Sequence, residues 1–178
     1  FLLYQTPLHC KSSSLNDFNS KNLSKYFSGI VAFENKDNSS ALDFYNSSKI
    51  LLNKHDRYLK RYVYSLVLEN KVPQAINVVK ANKNKSNTNF FDAYLLLVLD
   101  SLKKNDFKKV DDYLKKLTNL PFQDKFNAAI LESLKQYVYV FTERKILDDK
   151  KYLGKLSIIS ETFQRCYLED ESTDAYFS

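Results

Sequence analysis

The chain has 178 residues, a formal net charge of +6, 44% hydrophobic and 15% aromatic residues, and only two glycines and three prolines. That length supports one domain with a real core, and the scarcity of Gly and Pro argues for an all-helical protein with short connections. No apolar run approaches the roughly 18–20 residues that cross a bilayer, so no transmembrane segment is expected.

The positive charge reads as a solvated surface. Only Arg57, Arg61, Arg144 and Arg165 are arginines, and the lysines are interleaved with acids, as over Lys103 to Lys116. Nucleic acid is therefore not the expected partner. Residues 1–21 read as a tail. Phe1-Leu2-Leu3-Tyr4 and the stretch to Cys10 fit the end of a truncated secretory signal cut near Cys10-Lys11, and fit a floppy terminus equally well. The first reading implies a bacterial periplasm and the second the cytoplasm. Met is absent even from position 1, and Ser172 to Phe177 reads as the capped start of a helix that stops mid-turn. A piece of a longer array is expected.

From residue 22 onward the apolar residues return every three or four positions, the helical period. Tyr26, Phe27, Ile30 and Phe33 mark a first helix, Glu34 to Asn38 a polar turn, and Ala41, Leu42, Tyr45, Leu51 and Leu52 a second helix. Residues 56–89 repeat the plan, with Leu59, Tyr62, Val63 and Leu66, then Ala75, Ile76 and Val79. Pro73 sits in the opening turn of the latter helix, where its missing N–H costs nothing. In residues 90–121 Asp106 is placed to cap a helix whose stripe is Phe107, Val110, Leu114 and Leu117. Residues 122–157 hold a long helix over Phe126 to Glu143 and a short one over Asp148 to Leu156. The incomplete last unit, 158–178, holds a helix from Ile158 to Leu168 with Phe163 and Cys166 facing inward, then Ala175 at a small-residue position.

Ala41, Ala75 and Val110 recur at intervals of 34 and 35 residues, and Asn35-Lys36, Asn70-Lys71 and Asn105-Asp106 recur with them. Asn readily takes the left-handed conformation that closes a helix. Small residues such as Gly29 and Ala75 let helices approach, and Tyr45 and Phe107 fill the space opposite. Helix-turn-helix units at this period, with Gly29, Ala41 and Tyr45, resemble the tetratricopeptide repeat family. More narrowly, YFSGIVAFENKDNSSALDFY with LKRYVYSLVLENKVPQAI looks like tetratricopeptide proteins of alphaproteobacteria. The resemblance implies a right-handed solenoid of antiparallel helix pairs covering residues 22–178, with four to five repeats. It also implies a concave wall of first helices that grips an extended peptide or a partner's helix.

First-helix positions not required by the repeat's core are Tyr26, Ile30, Arg57, Lys60, Tyr64, Leu95 and Leu99. Leu95 and Leu99 are expected to be covered by neighbouring helices, which leaves Tyr26, Ile30, Arg57, Lys60 and Tyr64 as the protein-binding groove. Catalytic chemistry is not expected. His9 and His55 lack partners at metal-ligand spacing, Cys10 and Cys166 form no C-x-x-C pair, and no phosphate-binding or nucleophile motif occurs. No cofactor is implied. The reading is a non-enzymatic scaffold for protein–protein interaction. The alternatives are an RNA-binding helical repeat or the regulatory part of a larger enzyme.

Overall fold

The computed structural model describes residues 19–121 and 124–177, and the regular elements among them are all helices. The stretch read as a signal or tail, with His9 and Cys10, lies outside the described residues up to residue 18. The chain forms two compact units, Phe1–Thr88 and Asn89–Ser178.

The first unit contains two helical hairpins. Helices α1 (Ser20–Glu34) and α2 (Asn38–Ser47) make one, and α3 (Asp56–Leu68) and α4 (Val72–Asn82) make the other, with short 3-10 turns at Lys49–Asn53 and Ser86–Thr88. Asn19 caps α1 by accepting from the Asn22 amide at 2.8 Å, and Asp37 caps α2 through the Ser40 amide at 3.1 Å. These bonds satisfy donors that a helix start leaves orphaned. The second unit contains α5 (Phe91–Lys103), α6 (Phe107–Thr118), α7 (Lys125–Glu143), α8 (Lys155–Tyr167) and the short α9 (Thr173–Phe177). Asp106 caps α6 by accepting from the Lys109 amide at 3.2 Å, as the sequence predicts.

The hairpin turns share one geometry. Lys36, Asn70 and Asn105 are left-handed, with φ of 62°, 58° and 55°. The residue after each sends its amide back to the carbonyl five positions earlier: Asp37 to Ala32, Lys71 to Leu66, and Asp106 to Ser101, at 2.8–3.0 Å. This is the Schellman closure, and it satisfies carbonyls the helix end would otherwise strand. Five residues past each left-handed position lie Ala41, Ala75 and Val110, all fully buried. In the first turn the left-handed residue is Lys36 and not the expected Asn35. The 34- and 35-residue spacing of the turns sets the position, and Asn35 stands one place too early.

Packing in the first unit centres on tyrosines. Tyr26, Tyr45 and Tyr58 are buried, and the Tyr58 hydroxyl donates to the Tyr45 carbonyl while lying 3.1 Å from Ser48 Oγ. Ser48 Oγ in turn donates to the Phe44 carbonyl at 2.9 Å. These bonds end α2 at Ser47, so Leu51 and Leu52 are buried from a separate 3-10 turn rather than from one continuous helix. Gly29 is where α1 meets this cluster: a Cβ there would lie 2.8 Å from Tyr45 Cε1.

The second unit departs from expectation beyond α7. Residues 148–154 are not helical. Asp148-Asp149-Lys150-Lys151 offers no apolar stripe to bury, and the extended path carries Lys150 to Glu161, 2.8 Å away. Helix α8 is turned over relative to its predicted orientation. Phe163 and Cys166 are exposed, while Ser157, Ser160, Glu161, Thr162 and Gln164 are buried. The cause is polar. Glu161 takes Lys150 and Arg165, and Gln164 donates to Gln136 of α7 at 3.2 Å and to Ser160 at 3.0 Å. Ala175 is also exposed, and so is Asp174, five residues past the left-handed Glu169, so this turn is followed by no buried position of the kind that follows the other three.

Candidate functional site

Helix α3 divides sharply into two faces. Tyr58, Leu59, Tyr62, Val63 and Leu66 are buried. On the other side, Arg57, Arg61, Tyr64 and Leu68 follow one another at spacings of four, three and four, with Lys60 three residues from Arg57 and four from Tyr64, so all five share a single stripe along the helix. Arg57, Lys60 and Leu68 are exposed, and Arg61 and Tyr64 are half-buried. The Lys60 ammonium sits 5.4 Å from the Tyr64 ring centroid, within cation–π range. Three cations and two apolar groups within about three turns make a wall suited to an acidic chain with apolar side chains.

Of the predicted groove residues, Arg57, Lys60 and Tyr64 come together on this stripe. Ile30 is half-buried on α1. Tyr26 is placed differently: it is 1% exposed and belongs to the core. Its ring stacks on Tyr58 at 5.3 Å between centroids and lies 4.8 Å from the His55 ring, and its hydroxyl accepts from Arg61 Nη1 at 2.6 Å. Tyr26 therefore supports the wall from behind by fixing the Arg61 guanidinium. The α1 period marks Tyr26 as apolar-facing, but it does not show that Tyr45 and Tyr58 converge in the space beside it.

Arg61 and Leu68 belong to the stripe and escape the sequence reading. The signal for both is the i, i+4, i+7, i+11 series Arg57, Arg61, Tyr64 and Leu68, of which the sequence reading takes only Arg57 and Tyr64. In the second unit Leu99 is exposed rather than covered, and Leu95 is half-buried. Tyr45 carries a buried hydroxyl with no hydrogen-bond partner. Burial pushes its pKa up to about 12 against the opposing field of Arg61, so the phenol stays neutral under the cations.

In the second unit the strongest electrostatic feature is Glu161, 2% exposed. Its carboxylate accepts from Arg165 Nε at 3.0 Å and Nη2 at 2.7 Å, from Lys150, and from the Tyr152 hydroxyl. Burial alone would raise its pKa, but these donors outweigh it and hold the carboxyl at about 2. Arg165 continues to Asp170 at 2.8 Å. A carboxylate so fully engaged by donors is a structural tie rather than a proton carrier.

Among the described residues no three His, Cys, Asp or Glu side chains converge on a metal-sized space, and no helix is long and apolar enough to cross a membrane. Comparison with protein-family models, curated proteins and solved structures finds no match to this chain.

Proposed function

We propose that this protein is a non-enzymatic scaffold of tetratricopeptide-like helix pairs that captures a segment of another protein on the outer stripe of α3, with Ile30 of α1 as a further contact. The observation that supports it is the amphipathic split of α3. One face satisfies the core completely, and the other presents Arg57, Lys60 and Leu68 to solvent beside half-buried Arg61 and Tyr64. The identical closures at Lys36, Asn70 and Asn105 support a right-handed repeat stack, since units of one geometry joined by one turn geometry stack regularly. The partner segment suited to this wall is acidic with apolar side chains. The truncated signal reading at the N-terminus would place the encounter in a bacterial periplasm.

A pull-down with the native chain and with the Arg57→Ala, Tyr64→Ala double variant tests the reading. The variant is expected to lose its partner while keeping native helicity and melting temperature, because neither side chain fills the core. Losing an aromatic or Arg anchor costs about 2 kcal/mol, roughly thirty-fold in affinity. Retention of the same partners by the double variant would overturn the assignment. So would binding to single-stranded RNA that weakens steeply with salt.

A further inference from the structure

Two apolar faces of this chain are left open, and they differ in shape. On α8, Ile159, Phe163 and Cys166 recur at i, i+4 and i+7, with Ile158 and Tyr167 alongside. All five are exposed, Phe163 by 55%. This face cannot turn inward, because the opposite face is fixed to its own unit through Glu161, Lys150, Arg165 and the Gln164–Gln136 bond. It is a ridge of bulky side chains. Between α1 and α2 lies the converse, a groove of about 600 Å³. Ser24, Ser28, Ala32 and Ser40 are its small residues, and Phe27, Val31 and Phe44 its apolar rims. Phe27 is 58% and Val31 59% exposed.

The charges at the ends of the two faces fix an orientation. Helix α1 carries exposed Lys21 at its start and exposed Glu34 at its end, with the Asp37 carboxylate at the same end of the groove. Helix α8 carries exposed Lys155 at its start and exposed Glu169 just past its end. Thirteen residues separate the first pair and fourteen the second, about 20 Å of helix in each case. Laid antiparallel, Lys155 meets Glu34 and Asp37 while Glu169 meets Lys21. Laid parallel, like charges meet at both ends. A ridge, a groove and a complementary charge order at matched spacing thus occur on one polypeptide.

We infer that copies of this chain associate head to tail, the outward face of α8 of one copy seating antiparallel to α1 in the α1–α2 groove of the next. Such a contact is heterologous. A pair of copies leaves one ridge and one groove open, so growth continues until rings close or the supply of chains is exhausted. Exposed apolar patches of this kind mark interaction surfaces.

Sedimentation velocity of the full 178-residue chain, from low to high micromolar concentration, is the test. The mean mass is expected to rise past twice the 20.8 kDa of one chain. Phe163→Glu blocks the ridge and Val31→Glu blocks the groove. Each alone should stay monomeric over the same range with unchanged helicity, since both positions already face solvent. Mixed in equal amounts, the two variants should form dimers and stop there, because each supplies the one intact face the other lacks. Lys155→Glu should weaken wild-type association at least tenfold, and adding Glu34→Lys should recover part of it. A native chain that stays monomeric throughout overturns the inference. So does a mixture that fails to form dimers, or assembly of either single variant alone.

Discussion

Gly29 and Glu161 show how much of each unit rests on single side chains. At Gly29 a methyl group would meet three atoms of the Tyr45 ring, at 2.8, 3.0 and 3.2 Å. That ring is itself held between Tyr26 and Tyr58, with centroids 6.1 and 5.7 Å away, so it has little room to yield. Gly29→Ala should therefore destabilise the first unit by about 1–3 kcal/mol despite the better helix propensity of Ala. Thermal melting checks this, and an unchanged midpoint would mean that the ring relaxes freely. Glu161 gives a pH dependence whose sign follows from its pKa of about 2, depressed from an ordinary 4.5. A carboxyl with a depressed folded-state pKa contributes its full stabilisation above about pH 4.5 and loses it as pH falls toward 2. The shift corresponds to a contribution on the order of 3 kcal/mol. Glu161→Gln should remove that acid-sensitive component. It should also lower stability at neutral pH by about 3 kcal/mol, because Lys150 then loses its carboxylate and Arg165 keeps only Asp170. Chemical denaturation at pH 7, 4 and 2.5 reads both effects.

Among the elements, the turns are the part the sequence reports most directly. The recurrence of Ala41, Ala75 and Val110 locates three buried positions, and the Asn-containing turns locate the left-handed residues Asn70 and Asn105, because backbone chirality limits which residues take that conformation. Lys36 is the costly exception. Replacing it with Gly should stabilise the α1–α2 hairpin by about 1 kcal/mol, a rise of about 2–4 °C in melting temperature. A fall in melting temperature would show that the Lys36 side chain contributes more than its backbone costs. Helix α8 is the element the sequence misreports. Its stripe of Ile159, Phe163 and Cys166 has the helical period of a core face, and periodicity alone assigns it inward. What decides the matter is Glu161, whose donors come from residues four, nine and eleven positions away and across a non-helical segment that the same periodicity reads as a helix. The candidate wall divides in the same way. Arg57, Lys60 and Tyr64 are legible as polar and aromatic positions on an amphipathic helix, whereas the burial of Tyr26 depends on Tyr45 and Tyr58, two tyrosines from other elements, converging beside it.

Across the whole molecule the net charge of +6 is unevenly useful. In the α5–α6 region three of the lysines are tied locally, Lys104 to Asp100, Lys109 to Asp106 and Lys115 to Asp111, and surface pairs of this kind contribute little to stability. On α3, Arg57, Lys60 and Arg61 share one stripe, and the Arg61 donor goes to a neutral phenol rather than to an acid. Long-range attraction of an acidic partner should therefore come from α3, with the rest of the surface adding a weaker, screened background. Encounter and retention then separate. For a synthetic acidic peptide with an aromatic anchor, the association rate should fall as salt rises, because the steering field is screened within about 8 Å at physiological ionic strength. Arg57→Ala with Lys60→Ala should slow association at low salt and flatten that salt dependence. Tyr64→Ala should leave the association rate and its salt slope in place while raising the dissociation rate roughly ten- to thirty-fold, since an apolar anchor acts after contact is made. Stopped-flow fluorescence measures both rates. If Tyr64→Ala instead slows association and leaves dissociation untouched, the aromatic group lies outside the contact, and the charges alone bring the partner in.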